Sequence, residues 1–253
     1  MPTKFRIEET CYVPTSLLPD ENKYPVSIYR TTIKDIKNKS VKVQQKDGTI
    51  SDWITTSKVS KNIGILIISI GDFSTEETLL NPLAKSILQF SRLLLEDDSV
   101  MLVKVRSIGE LSAWWKLNDA AYSHVVLIGH GSPTGIIFGY GGKKSPTDFE
   151  KCFSTGSQKK KVFISLCCET GRNLFASSFS QIPICSHLIA PYHSIHGSVA
   201  SQFYQTIMCW HLIDARSIKI AYNKAQRSIP KKYIFRSWTD GYHNTEMAGW
   251  RGW

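Results

Sequence analysis

The sequence predicts an α/β fold, with a mainly parallel central sheet covered by helices on both faces and a small β-rich appendage at the N-terminus. Three observations carry this. Residues 63–227 alternate short apolar runs rich in β-branched side chains with stretches of helical periodicity. The apolar runs are continuous rather than alternating, which suits strands buried on both faces of a parallel sheet. Residues 1–60 lack that alternation and are polar, with short strand-like stretches. The expected division is therefore 1–60 for the appendage and 61–253 for the α/β domain.

In the appendage, residues 26–29 and 41–43 are β-like. Asp47-Gly48 is a hairpin signal between 41–45 and 50–54. Residues 57–62 form a polar junction. The run 63–70 is the first core strand. A helix over 78–95 places Leu79, Leu80, Leu83, Ile87, Phe90 and Leu94 near one face, with Thr75-Glu76-Glu77 as its start signal. A strand at 100–105 and a helix at 108–122, with Leu111, Trp114, Trp115 and Leu117, come next. The third strand, 124–129, stops at His130-Gly131, and residues 132–142 suit a turn and short hairpin. A helix at 148–153 leads to the fourth strand, 161–166, which stops at Cys167-Cys168. A helix at 173–180, a strand at 187–190 and helices at 198–212 and 215–227 complete the alternation. Consecutive strand–helix–strand units imply right-handed crossovers. Trp238, Trp250 and Trp253 lie in a tail with no assigned element.

The chain has 253 residues, 42% of them apolar and 21% charged, which supports a sizeable core and argues against wholesale disorder. The formal net charge is +10, but the lysines are dispersed and the densest runs, 159–161 and 231–232, are short. This favours solubility as the role of the charge, with nucleic acid entering as a partner only indirectly. The six cysteines, Cys11, Cys152, Cys167, Cys168, Cys185 and Cys209, show neither disulfide-framework nor zinc-pair spacing. A reducing, cytoplasmic setting is expected, with no metal and no cofactor. No apolar signal region opens the sequence, and no apolar run reaches membrane-spanning length, so no membrane span is expected.

Two consecutive core strands end in reactive side chains: Gly129-His130-Gly131 and Cys167-Cys168-Glu169-Thr170-Gly171. In open α/β sheets, sites form outside the carboxyl ends of the strands. If these strands are neighbours, His130 and Cys168 converge there. A thiol beside an imidazole is the minimal set for acyl transfer, because the imidazole assists thiolate formation and the thiolate attacks the carbonyl. Gly131 would let the backbone approach a substrate closely. Its N–H and that of Cys168 would be donors to an oxyanion. Gly171 would ease the turn into the next helix.

Taken singly, His130 is as well explained as a hydrogen-bonded core histidine and Cys168 as a buried thiol; their pairing at consecutive strand ends favours chemistry. Strand alternation lets only one of Cys167 and Cys168 face His130, and the other is then a small buried apolar residue. His193 and His196 either line the site or serve as loop and capping residues before the helix at 198. Asp72 as a phospho-acceptor would explain neither reactive strand end. The stretch 139–144 lacks phosphate-loop spacing, and no Gly-x-Ser-x-Gly elbow occurs.

Gly129-His130-Gly131 behind one apolar strand and Cys168-Glu169-Thr170-Gly171 behind the next resemble the CHAT branch of the caspase-like (clan CD) cysteine peptidases. The segment from Ser165 to Gly171 is similar to that branch's Leu-Ser-Ala-Cys-x-Thr-Gly, offset at Ser165, Leu166 and Cys167. The likeness covers residues 63–227. It implies a caspase-like three-layer fold, His130 as catalytic histidine, Cys168 as nucleophile and the Gly131 N–H in the oxyanion hole; Glu169, next to the nucleophile, is a further candidate substrate-binding residue. It also implies a protein substrate, no cofactor, and a setting in bacterial defence or regulated cell death, with activation by a partner or ligand. The alternative is a catalytically silent caspase-like adaptor that acts by protein binding. For P1 preference, Asp148, Glu150 or Glu169 would favour a basic residue, while an apolar pocket is equally open.

Overall fold

The structure, a computed structural model, describes residues 5–71, 76–229 and 234–244. Asp72, Thr75, the 231–232 lysines, Trp250 and Trp253 lie outside the described residues. Strands β1 (Thr10–Pro14), β2 (Ile28–Lys37), β3 (Ser40–Val43) and β4 (Ile54–Thr55) form an antiparallel sheet in sequence order. Cys11, Val13, Ile33, Val41, Val43 and Ile54 fill its own small core. The turn at Asp47-Gly48 is present. Gly48 has φ +86°, and the Asp47 carboxylate accepts from the Thr49 N–H at 2.9 Å. The returning strand is shorter than the sequence suggested. Ser51 occupies both backbone groups of Val43, donating its N–H to the carbonyl and accepting the N–H on Oγ at 3.0 Å. Regular pairing of β4 with β3 starts only at Ile54. The sheet is docked on the rest of the chain: Ile28 packs into the main core, and Arg30 pairs with Glu96 and Asp98.

The larger sheet contains β5 (Ile65–Ile70), β6 (Val100–Val105), β7 (His124–Ser132), β8 (Gly135–Phe138), β9 (Gly142–Lys144), β10 (Lys161–Ser165), β11 (Cys185–Pro191), β12 (Phe235–Thr239) and β13 (Tyr242–His243). Its main path runs β13-β12-β11-β10-β7-β5-β6. β6, β5, β7, β10 and β11 are parallel, and β12 and β13 add antiparallel strands at one edge. Helices α1 (Asn81–Leu94), α5 (Gly197–Met208) and α6 (Ile218–Ser228) share one core with Ile65, Ile67, Val126, Ile128, Ile164 and Leu166. Helices α2 (Ile108–Asn118), α3 (Pro146–Phe153) and α4 (Asn173–Ser180) share the other with Leu66, Ile68, Val125, Leu127 and Phe163. Alternate strand residues thus feed opposite layers, as the two-residue period of a strand requires. The result is three layers with the parallel sheet in the middle.

Several local readings are corrected. β7 does not stop at Gly129; it continues to Ser132 because β8 folds back on it, pairing Ile137 with His130 and Gly135 with Ser132. Trp238, unassigned from sequence, sits buried in β12. Leu79 and Leu117, expected on apolar helix faces, are exposed. Lys161 belongs to no solvated basic run. It is fully buried, with its ammonium donating to the carbonyls of Asp119 and Tyr122 at 2.7 and 2.8 Å and facing the Asp119 carboxylate at 3.3 Å. Among the described residues no helix is long and apolar enough to cross a membrane.

Candidate active site

β7 and β10 are hydrogen-bonded neighbours, with Val162 beside His124 and Ser165 beside Leu127. Beyond the strand, the Leu166 N–H still donates to the Leu127 carbonyl at 2.8 Å. The pairing offset in this register is 38 residues, which is also the separation of His130 and Cys168; β10 itself ends at Ser165, and Cys168 lies in the turn that follows. Val126 and Ile128 on one strand, and Ile164 and Leu166 on the other, face the α1/α5/α6 layer. Both side chains are half-buried at the carboxyl rim.

Gly131 has a specific steric role. A Cβ there would lie against the Cys168 carbonyl oxygen and 2.9 Å from Cys167 Cβ. The close approach that requires glycine within the chain is thus to the cysteine loop. Gly171 is likewise a contact glycine, because a Cβ there would meet the Ala190 carbonyl and lie 2.8 Å from Pro191. The residue that makes the turn is Glu169, with φ +62°. Its N–H donates to the His193 carbonyl at 3.4 Å, and its carboxylate pairs with Arg172 at 3.0 Å.

The two adjacent cysteines occupy opposite environments. Cys167 is fully buried against the Leu127 carbonyl, and burial pushes its thiol up to about 12, so it stays protonated. Cys168 Sγ instead accepts the Ile195 N–H at 3.5 Å. Two buried hydroxyls that sequence reasoning missed hold this loop. Thr170 Oγ1 donates to the Cys167 carbonyl at 2.7 Å. With that proton committed, the Ser165 hydroxyl donates to Thr170 Oγ1 at 2.7 Å and accepts the Cys167 N–H at 3.3 Å. Only their five-residue spacing around Cys167-Cys168 marks them in the sequence, and that spacing alone does not single out a clamp.

Other candidates fall elsewhere. His196 caps α5, its Nδ1 accepting the Ser198 N–H at 3.3 Å. His193 is exposed, edge-on to Tyr192. The Asp148 carboxylate is committed to the capping box of α3, where the Ser145 N–H and hydroxyl hold it below the usual carboxylate range. Glu150 is an exposed residue of the same helix. Among the described residues, no group of three or more His, Cys, Asp or Glu side chains is placed to hold a metal ion.

The likeness to solved structures is one of fold. An X-ray structure of a secreted C11 cysteine protease from Bacteroides thetaiotaomicron, in complex with an irreversible peptide inhibitor, matches with a TM-score of 0.50 at 10% identity. The match covers 66% of this chain and 58% of that one. An inactive zymogen C11 protease from Parabacteroides distasonis gives a TM-score of 0.45 at 13% identity, covering 70% of this chain and 61% of that one. The chain therefore spans less than two thirds of the length of either neighbour. No protein-family model matches the sequence, and no curated protein matches it. The first match identifies the three-layer architecture as caspase-like.

Proposed function

We propose that this chain is a cysteine endopeptidase with Cys168 as nucleophile and His130 as its proton-transfer partner. The observation that carries the reading is the β7–β10 register, supported by the contact of Gly131 with the Cys168 backbone. The Cys168 thiol passes its proton to His130, and the thiolate attacks the scissile carbonyl. The Gly131 and Cys168 N–H groups donate to the oxyanion, and Glu169 lies beside the substrate. His130 then protonates the leaving amine, and water hydrolyses the thioester to restore the thiol.

The cysteine motif supports a CHAT-type assignment within the caspase-like group and, with it, a protein substrate cut in a bacterial defence or cell-death circuit under the control of a partner. A cytoplasmic setting suits six cysteines that all stand as free thiols. Residues 1–60 are proposed as an appendage that receives such a partner. The test is mass-spectrometric mapping of fragments from a co-expressed candidate partner protein. Defined cuts with the wild type that vanish with Cys168→Ala are expected. Identical fragments with both proteins would overturn the reading and favour the adaptor.

A further inference from the structure

The junction between the N-terminal sheet and the α/β domain holds a cationic hollow that the proposed chemistry does not use. Two cavities meet there, of about 540 and 370 Å³, and they share Ser60, Asn62 and Ser123. Ser60 is fixed to β1 by a mutual pair of backbone bonds with Tyr12, at 2.8 and 3.0 Å. Ser123 leads directly into β7, and Lys159 and Lys160 lead into β10. The hollow thus lies at the amino ends of these strands, at the opposite rim from His130 and Cys168.

Its charge is unbalanced. Among the described residues, Lys58, Lys61, Lys159, Lys160 and Arg216 line it, against the single carboxylate of Asp214. Arg216 faces that carboxylate at 3.7 Å, and Lys61 is taken by Glu9 at 2.7 Å. Lys58, Lys159 and Lys160 pair with no carboxylate among the described residues; Lys159 makes one long bond, 3.4 Å, to the Ala120 carbonyl. The Ser60 hydroxyl and the Asn62 amide are also without a hydrogen-bond partner there. Like charges gathered around a concavity repel one another, and an anion between them relieves that repulsion in a field that the low-dielectric walls concentrate. Lysine ammoniums suit phosphate as point charges. The larger cavity adds an apolar wall from Ile28, Ile63 and Leu212, all buried. A volume of several hundred Å³ with one apolar wall and a few polar groups is that of a small-molecule site rather than a track for a nucleic-acid strand.

We propose that this hollow binds a phosphorylated small molecule, with Lys58, Lys159 and Lys160 on its phosphates and the Ile28, Ile63 and Leu212 wall against the rest of it. The site stands independently of the peptidase reading. Because its groups come from the junction at 57–62 and from the α/β domain, a bound ligand would tie the two together.

Equilibrium dialysis of the full chain against ATP, inorganic tripolyphosphate and adenosine tests this. Saturable one-to-one binding of ATP is expected, with tripolyphosphate several-fold weaker and adenosine at least about a hundredfold weaker, the scale of two charge-assisted contacts. Lys58→Gln and Lys160→Gln, both at exposed positions, are each expected to lower ATP affinity about tenfold. Lys143→Gln, on β9 at the far rim, is expected to leave it unchanged. Binding of neither ATP nor tripolyphosphate would overturn the site. So would an affinity that both hollow variants leave unmoved, an equal loss with Lys143→Gln, or binding of a single-stranded DNA oligonucleotide where ATP does not bind. None of these results touches the labelling of Cys168, so the peptidase reading is tested separately.

Discussion

Gly131 is the residue at which sequence, packing and chemistry meet most tightly. Its missing Cβ lets β7 lie against the Cys167-Cys168 backbone, so Gly131→Ala must push the two strand ends apart. We expect that variant to lose thermal stability and to slow thiol labelling of Cys168 together, as a differential melt and a labelling time course would show. Thr170→Val leaves the Cys167 carbonyl without its donor and the Ser165 hydroxyl without its acceptor. It should cost about 1–3 kcal/mol in urea unfolding, the usual penalty for an orphaned buried polar group. His130 and Cys168 stood out as candidates because both residues punctuate apolar runs. The opposite facing of Cys167 followed from strand alternation. The hydroxyl clamp was not legible, since a threonine two residues past a cysteine is equally at home in a turn, a cap or a strand.

At the scale of single elements, the parallel core strands and most helices could be read from their periods, because burial on both faces leaves an unbroken apolar run. β12 could not. Phe235-Arg236-Ser237-Trp238-Thr239 is a short stretch with polar residues at 236, 237 and 239 and no clean alternation, and only its pairing with β11 makes it a strand. The extension of β7 past His130 was hidden for a similar reason, since it depends on a partner strand later in the chain. The start of β10 departs from compositional expectation most clearly. Lys161 is held by two carbonyls at the end of the α2 region and by Asp119, which also accepts from the Ser157 N–H and hydroxyl at 2.9 and 2.6 Å. Removing the cation strands a buried carboxylate. Lys161→Ala should therefore destabilise the protein by about 3–5 kcal/mol in chemical denaturation, far beyond a surface lysine change.

On the scale of the whole molecule, the docking of the N-terminal sheet leaves a cavity of about 540 Å³ against the amino ends of the core strands, lined by Tyr12, Lys58, His124, His211 and Arg216 among others. Two histidines meet there, with His124 Nε2 3.1 Å from His211 Nε2. His211 donates from Nδ1 to the Arg216 carbonyl at 2.7 Å, and His124 Nδ1 bonds the Ser123 hydroxyl at 2.8 Å. One proton fits between the facing nitrogens and a second does not. Burial and the neighbouring ring push His124 down to about 3, and burial also lowers His211. Below the ordinary histidine value of about 6.5, the unfolded chain therefore binds protons that the folded chain refuses. The stability is full above that pH and falls as the pH drops toward 3, at roughly 1.4 kcal/mol per pH unit for His124, with His211 acting in the same direction. Melting temperatures between pH 7 and pH 4 should show this slope, and His124→Asn should flatten it.

The central claim is that His130 governs the reactivity of Cys168, and alkylation kinetics followed residue by residue test it most directly. Under limiting iodoacetamide, Cys168 should label well ahead of the other five thiols, and His130→Ala should slow it by about a hundredfold or more, the usual scale of a positioned acid–base group. Labelling of Cys168 at the pace of the other accessible cysteines, unchanged by His130→Ala, would contradict the account.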